Sequence, residues 1–286
     1  MQENYYRIHN MKRSLAIFCV TYNSYSELKT YLTSIDVAAS KVSSSLSVDV
    51  FIVDNTEECI ENVDYMNTFS FIKCVFFPFH KNLGYFGGIK KGMEGVDVKK
   101  YDFVALTNVD LTIAEDAFMN LSKMMIGEDV GWIATAILSG KEHRDRNPEV
   151  LKRYSKHKLH MLKFKFEYPI VDFVYNHTFY KRKKFRKKFF AMDIYAGHGS
   201  FILLTRAYFE KCGMIDYPVF LFGEELYLAE ECRKQSLRVI YRPEICIYDS
   251  EHVSTSKLKK SLPFKKTFYY QCNSNAIDYI LANYYN

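Results

Sequence analysis

Three observations predict an α/β fold built on a largely parallel sheet. Short apolar runs recur through the first half, each stops abruptly in polar residues, and segments of helical spacing lie between them. The first run, residues 15–20, is closed by Thr21, Tyr22 and Asn23. Residues 26–39 then place Leu28, Tyr31, Leu32 and Ile35 at helical spacing. Further strands are expected at 48–53, 71–77, 103–107 and 130–138. The run at 48–53 ends in Asp54-Asn55, and the run at 103–107 in Asn108-Val109-Asp110. Polar residues just past strand C-termini line the ligand crevice of such sheets. Asn23, Asp54 and Asp110 all occupy that kind of position.

The second half is less regular. Residues 139–192 are basic, His-containing and rich in Tyr and Phe, and read as an insertion rather than a continuation of the sheet. Order returns at 193–205, with Gly197-His198-Gly199 and an apolar run at 201–204. A helix at 206–212, a helix at 226–235 and a short strand at 238–241 follow, so the sheet is expected to become mixed here. The expected organisation is one domain over 13–255, with halves at 13–138 and 193–255 around the insertion. A helical extension occupies 256–286. No internal repeat is evident.

Composition narrows the function classes. Apolar residues make up 48% and charged residues 25%, as in ordinary folded proteins. Aromatic residues reach 16%, with a single Trp; sugar clefts use aromatic faces, and so do plain cores. Trp132 falls in an expected strand and is assigned to the core. The seven cysteines are scattered, with no CxxC pair, which argues against a disulfide framework or a structural zinc site and for a reducing cytoplasm. No run is long enough to span a bilayer, and no signal pattern opens the chain. The net charge of +6 is concentrated: seven Lys/Arg lie between Lys181 and Lys188, leaving the rest close to neutral. A nucleic-acid enzyme spreads its basic charge along a groove, so no nucleic-acid partner is expected.

Five short elements stand out in order: VTYN at 20–23, IVDNTEE at 52–58, NLGYFGGIKKG at 82–92, LTNVD at 106–110 and FLFGEEL at 220–226. In their order and spacing the chain resembles the inverting family 2 glycosyltransferases of the GT-A fold, near the bacterial rhamnosyl- and galactosyltransferase-like branch. The resemblance covers residues 15–252 apart from the basic insertion. It implies transfer of a sugar from a UDP- or dTDP-sugar donor to a carbohydrate or lipid-linked saccharide acceptor, as in bacterial surface polysaccharide synthesis. It also implies a Rossmann-like nucleotide-binding half followed by a mixed-sheet acceptor half.

The resemblance assigns roles residue by residue. Departure of a nucleoside diphosphate builds negative charge, which Mg2+ or Mn2+ held by hard oxygen ligands would stabilise. Asp110 matches the family's acidic metal ligand, with Asn108 where an Asp usually stands, and His252 resembles its late histidine. The bland alternatives are a turn cap for Asn108-Val109-Asp110 and a structural role for His252. Asp54 would accept from the base or ribose, with Thr21, Tyr22 and Asn23 beside it. Asn82, Gly84 and Gly88 would form a loop allowing close backbone approach. Lys90, where Asn is expected, is either a diphosphate contact or a solvated surface residue. Glu225 would be the general base, with Glu224 beside it; the pair could equally serve a helix N-terminus. His198 would lie near the acceptor.

The run YKRKKFRKKFF at 180–190 suits peripheral contact with anionic lipid at the inner face of the membrane, an acceptor's phosphates, or no specific partner. Two rivals were weighed. A sugar-phosphate nucleotidyltransferase would need a Gly- and Arg-rich loop after the first strand, which VTYNSYSEL does not supply. A catalytically inactive sugar-nucleotide or polysaccharide binder fits the altered Asn108 and Glu225 positions.

Overall fold

Apolar runs without polar alternation belong to strands covered on both faces, and the first strand shows why. In β1 (Arg13–Thr21) the residues 15–19 are all fully buried. Their side chains alternate across the sheet: Leu15, Ile17 and Cys19 join one core, Ala16 and Phe18 the other. The structure, a computed structural model, describes residues 12–58, 63–140, 144–168, 171, 189–250 and 262–285.

Helix α1 (Tyr25–Ser40) covers the first face, burying Leu28, Tyr31, Leu32 and Ile35. Strands β2 (Leu46–Asp54) and β3 (Ile72–Pro78) extend the sheet in parallel on one side of β1. Helix α2 (Tyr85–Met93) covers the opposite face with Phe86, Ile89 and Met93. The sequence reading took this stretch for a glycine-rich loop. The correction has a packing reason: a Cβ on Gly92 would lie 2.7 Å from Val53, and one on Gly88 would lie 3.0 Å from the Asn55 side chain. These glycines let a helix lie flat on the sheet.

Strand β4 (Phe103–Asn108) pairs in parallel with β1, and β5 (Leu111–Ile113) and α3 (Ala117–Lys123) follow. Then come β6 (Val130–Ser139) and the short β7 (Arg144–Asp145). The predicted insertion contains a helix, α4 (Lys156–Glu167), which the basic residues hid from the pattern. The Ser155 side chain caps its start by accepting from the Lys158 N–H at 3.1 Å. The second half adds β8 (Met192–Ile194), β9 (Phe201–Thr205), α5 (Arg206–Lys211), α6 (Glu224–Lys234), β10 (Arg238–Asp249) and α7 (Leu262–Tyr284).

The strand order is β3-β2-β1-β4-β9-β6-β10-β5, with β7 on β6 and β8 on β10. The first four strands are parallel; β9 runs antiparallel between β4 and β6, so the sheet is mixed beyond it. Strand β10 is far longer than predicted, because it continues past an irregularity between Arg242 and Cys246. Trp132 is fully buried in β6. Among the described residues no helix is long and apolar enough to cross a membrane.

Candidate active site

Strand register gathers the site. Thr21 pairs with Asp54 and Val20 with Asn108, so β1, β2 and β4 end on one edge. Because β9 is antiparallel, Phe201 meets Thr107 and the loop 197–200 enters on that same edge.

On the β1–β2 side, the structure turns two of the predicted nucleotide contacts inward. Thr21 and Asp54 are fully buried. The Asp54 carboxylate accepts from the Tyr25 hydroxyl at 2.7 Å and the Thr56 N–H at 3.0 Å. In this arrangement the carboxylate turns inward and shapes the loop, where the resemblance implied a direct contact with the nucleoside. Thr56 in turn accepts from the Asn23 N–H at 2.9 Å, holding Asn23 in a left-handed conformation at φ 51°. Tyr22 and Asn23 are left exposed at the rim. Asn82, half-buried, accepts from the Gly84 N–H at 3.1 Å and so shapes the entry to α2.

Two other predicted contacts have partners within the protein. Gly88 serves the packing of α2, as described above. Lys90 lies on the exposed side of α2 and forms an ion pair with Asp216 at 2.6 Å, which selects the surface reading. Gly84 keeps a site role of a different kind. It sits at φ 74°, and a Cβ there would lie 2.2 Å from the Phe220 carbonyl oxygen, so α2 abuts the FLFGEEL loop directly.

Asn108 and Asp110 are half-buried at the end of β4. The Ser250 N–H and hydroxyl both donate to the Asp110 carbonyl, at 3.2 and 2.9 Å. That brings the segment leading to His252 against Asp110; His252 itself lies outside the described residues. So do Lys181 to Lys188. Among the described residues no group of three or more His, Cys, Asp or Glu is arranged to hold a metal ion. The carboxylate of Asp110 supplies one hard oxygen ligand, which fits a divalent cation shared with a diphosphate.

The Glu pair opens helix α6 at Gly223, with φ 82°. Glu224 is buried, and its Oε1 accepts from the Phe222 N–H at 3.0 Å. Burial, then repulsion from Glu225, raises its pKa from 4.5 to about 8. Glu225 is half-buried, and its Oε1 accepts from the Gly199 N–H at 3.0 Å. Loss of water around it raises its pKa to about 7, with further repulsion from Glu149. Neither carboxylate forms an ion pair among the described residues. A carboxylate poised near neutrality suits proton abstraction.

Sequence reasoning missed three participants. Glu149 approaches from the insertion. Asn147, buried, accepts from the His198 N–H at 2.8 Å and donates to the Thr135 carbonyl, pinning the 197–200 loop. Tyr85 donates to the Gly199 carbonyl at 3.1 Å. Their contacts join segments far apart in the chain, so no local spacing announced them. His198 pairs with Ser200 at 3.0 Å within that loop.

Several solved structures share the fold of this chain. TarS 1–349 from S. aureus in complex with UDP-GlcNAc is 10% identical, with a TM-score of 0.57, over 96% of this chain and 67% of that one. Mannosyltransferase PcManGT from Pyrobaculum calidifontis, in complex with GDP-Man and Mn2+, is 12% identical with a TM-score of 0.51, over 96% and 75%. GalNAc-T7 with UDP, GalNAc and Mn2+ gives 12% and 0.50, over 94% and 50%.

The fold is of the GT-A type.

The chain spans 60% of a further TarS 1–349 structure and 40% of a longer TarS. No protein-family model and no curated protein matches the sequence. Within the GT-A frame, the Asn108–Asp110 edge closes the parallel half, and the Glu pair faces it across the 197–200 loop.

Proposed function

We propose that the protein is a glycosyltransferase that moves a sugar from a nucleotide-diphosphate donor to a saccharide acceptor with inversion. The observation that carries this reading is the Glu224–Glu225 pair, dehydrated and held near neutrality beside the polar edge of a GT-A sheet. TarS in complex with UDP-GlcNAc, and PcManGT with GDP-Man and Mn2+, support a nucleotide-sugar donor for this architecture. The donor proposed here is a UDP- or dTDP-sugar, and the acceptor a carbohydrate or lipid-linked saccharide. Bacterial surface polysaccharide synthesis in the cytoplasm is the setting, with membrane contact through Lys181 to Lys188.

In the mechanism, Tyr22 and Asn23 are the exposed groups available to the nucleoside, on a loop that Asp54 and Thr56 hold in shape. Asp110, with Asn108 and His252, would hold Mg2+ or Mn2+. That cation, when bound, stabilises the charge on the departing diphosphate. Glu225 Oε1 is fixed by the Gly199 N–H, which leaves Oε2 to take the proton of the acceptor hydroxyl. The acceptor oxygen bonds to the anomeric carbon from one face as the carbon–phosphate-oxygen bond breaks on the other.

Thermal stabilisation by UDP, dTDP, GDP and CMP, each with and without manganese, tests this. Saturation at a hundred times the dissociation constant adds about 2.7 kcal/mol. One pyrimidine diphosphate should stabilise the protein only with manganese, and Asp110→Ala should lose that response. An unchanged manganese response in Asp110→Ala removes Asp110 from the site. No response to any nucleotide in the wild type overturns the donor assignment.

A further inference from the structure

A closed circuit of contacts surrounds Glu225. The Tyr85 N–H donates to the Phe220 carbonyl at 3.3 Å, tying α2 to the FLFGEEL loop. The Tyr85 hydroxyl donates to the Gly199 carbonyl at 3.1 Å. The Gly199 N–H donates to Glu225 Oε1 at 3.0 Å. Glu225 returns to Phe220 through the four residues 221–224, so three separate segments share one ring.

A larger residue at Gly199 would displace the Glu225 carboxylate from its present position. A Cβ there would stand 2.5 Å from Glu225 Oε1 and 3.0 Å from its carboxyl carbon, far inside contact distance. The peptide is also fixed on both sides. His198 N–H is held by Asn147 at 2.8 Å, and the Ser200 carbonyl accepts from the Asn108 N–H at 3.0 Å. The Gly199 N–H lies in the peptide joining His198 to Gly199, between the one held by Asn147 and the next one, whose carbonyl accepts from the Tyr85 hydroxyl; with both neighbours held, the aim of the N–H is confined.

We propose that Tyr85 is a positioning residue for Glu225, acting through the two successive peptides that meet at Gly199. It ties the acceptor-side carboxylate to α2, the helix that follows the NLG element of the nucleotide half. This rests on the transferase reading only for its kinetic consequence; the positioning itself is a property of the free protein. The titratable groups facing Glu225 are Glu224 on its own helix, Glu149, Tyr85 and Tyr217, with His198 in the adjoining loop. None of these changes in Tyr85→Phe except Tyr85 itself, which loses one hydroxyl and keeps its ring.

The test therefore has two arms. In the first, protein labelled with 13C at glutamate carboxyls is titrated by NMR without ligand, the Glu225 signal being identified by its absence in Glu225→Gln. A main-chain N–H favours the ionised carboxylate, so loosening it in Tyr85→Phe should move the Glu225 midpoint up by about half a unit. An unchanged midpoint overturns the proposal. In the second, transfer from the donor found in the nucleotide screen is compared between wild type and Tyr85→Phe. Turnover should fall roughly tenfold, as for a slightly misplaced reacting group, with the manganese-dependent nucleotide Kd unchanged. Equal turnover, or a weakened nucleotide Kd that accounts for the loss, overturns it. If the wild type transfers no sugar, the functional reading falls while the titration still decides the positioning.

Discussion

Helix α6 carries two kinds of buried carboxylate, and they behave oppositely. At its start, Glu224 and Glu225 accept from main-chain N–H groups and hold their protons towards neutrality. Two turns on, Glu230 is fully buried but surrounded by donors. Arg153 reaches it at 2.6 and 3.3 Å, Arg233 at 2.7 Å, and Tyr195 donates as well. Burial alone would raise the pKa of Glu230, but the hydrogen bonds from Arg153, Tyr195 and Arg233 outweigh it and leave it below its ordinary value. Arg153 also donates to the Tyr284 carbonyl at 2.8 Å and lies 3.8 Å from the centre of the Tyr285 ring, clamping α7 to the body. Burial does not distinguish a working carboxylate from a structural one; the partners do.

Removing the base should give the largest effect. Glu225→Gln should lower turnover by about a hundred- to ten-thousandfold while nucleotide affinity stays constant; full turnover would move the base elsewhere. In the wild type, turnover should rise as pH passes about 7, where Glu225 loses its proton. A flat profile through that range would contradict the role.

Next comes the structural cluster. Arg153→Ala leaves Glu230 short of its bidentate partner, and removing one partner of a buried pair costs about 3–5 kcal/mol. Arg233 and Tyr195 remain, so the lower end of that range is expected in urea unfolding. Hydrogen exchange should show α7 losing protection first. A loss spread evenly over the molecule would deny the clamp.

The smallest effect is in the sign of the pH dependence. The unfolded chain ionises Glu224 near 4.5, whereas the native state keeps its proton to about 8. The native state therefore binds more protons in that window, and stability falls as pH rises through it. Glu224→Gln should flatten that fall. Glu230 works the other way: its contribution is present above its unfolded pKa and is lost as pH drops through the lowered native value. Glu230→Gln should thus weaken the protein at neutral pH and flatten its acid limb. Matching slopes in the two variants would erase the contrast.

The sequence showed the scaffold more clearly than the site. Short continuous apolar runs such as 15–20, each stopped by polar residues, read as strands covered twice, so the parallel half and the placement of Asp54, Asn108 and Asp110 at strand ends followed from the pattern. Orientation did not follow, because strand-end position leaves the side chain free to turn in, as Asp54 does towards Tyr25. Helix α2 was obscured by Gly87, Gly88 and Gly92, all poor helix formers, of which Gly88 and Gly92 allow close contact with β2. Helix α4 was obscured by its lysines and histidines, which flank the few apolar residues facing α7. Tyr85, Asn147, Glu149 and Gly199 meet Glu225 and its loop only through tertiary folding, and no spacing rule encodes that.

The alternation along β1 has a bearing on how such a chain can diverge. Deleting one residue between Arg13 and Thr21 would send Phe18 into the layer that holds Ile17 and exchange the two cores wholesale. Lineages can therefore lengthen, shorten or rewrite this protein at little cost only beyond the strand ends, after Thr21, Asp54 and Asn108. Those are the loops proposed to meet substrate, so a change of ligand there would leave undisturbed the sheet that carries it.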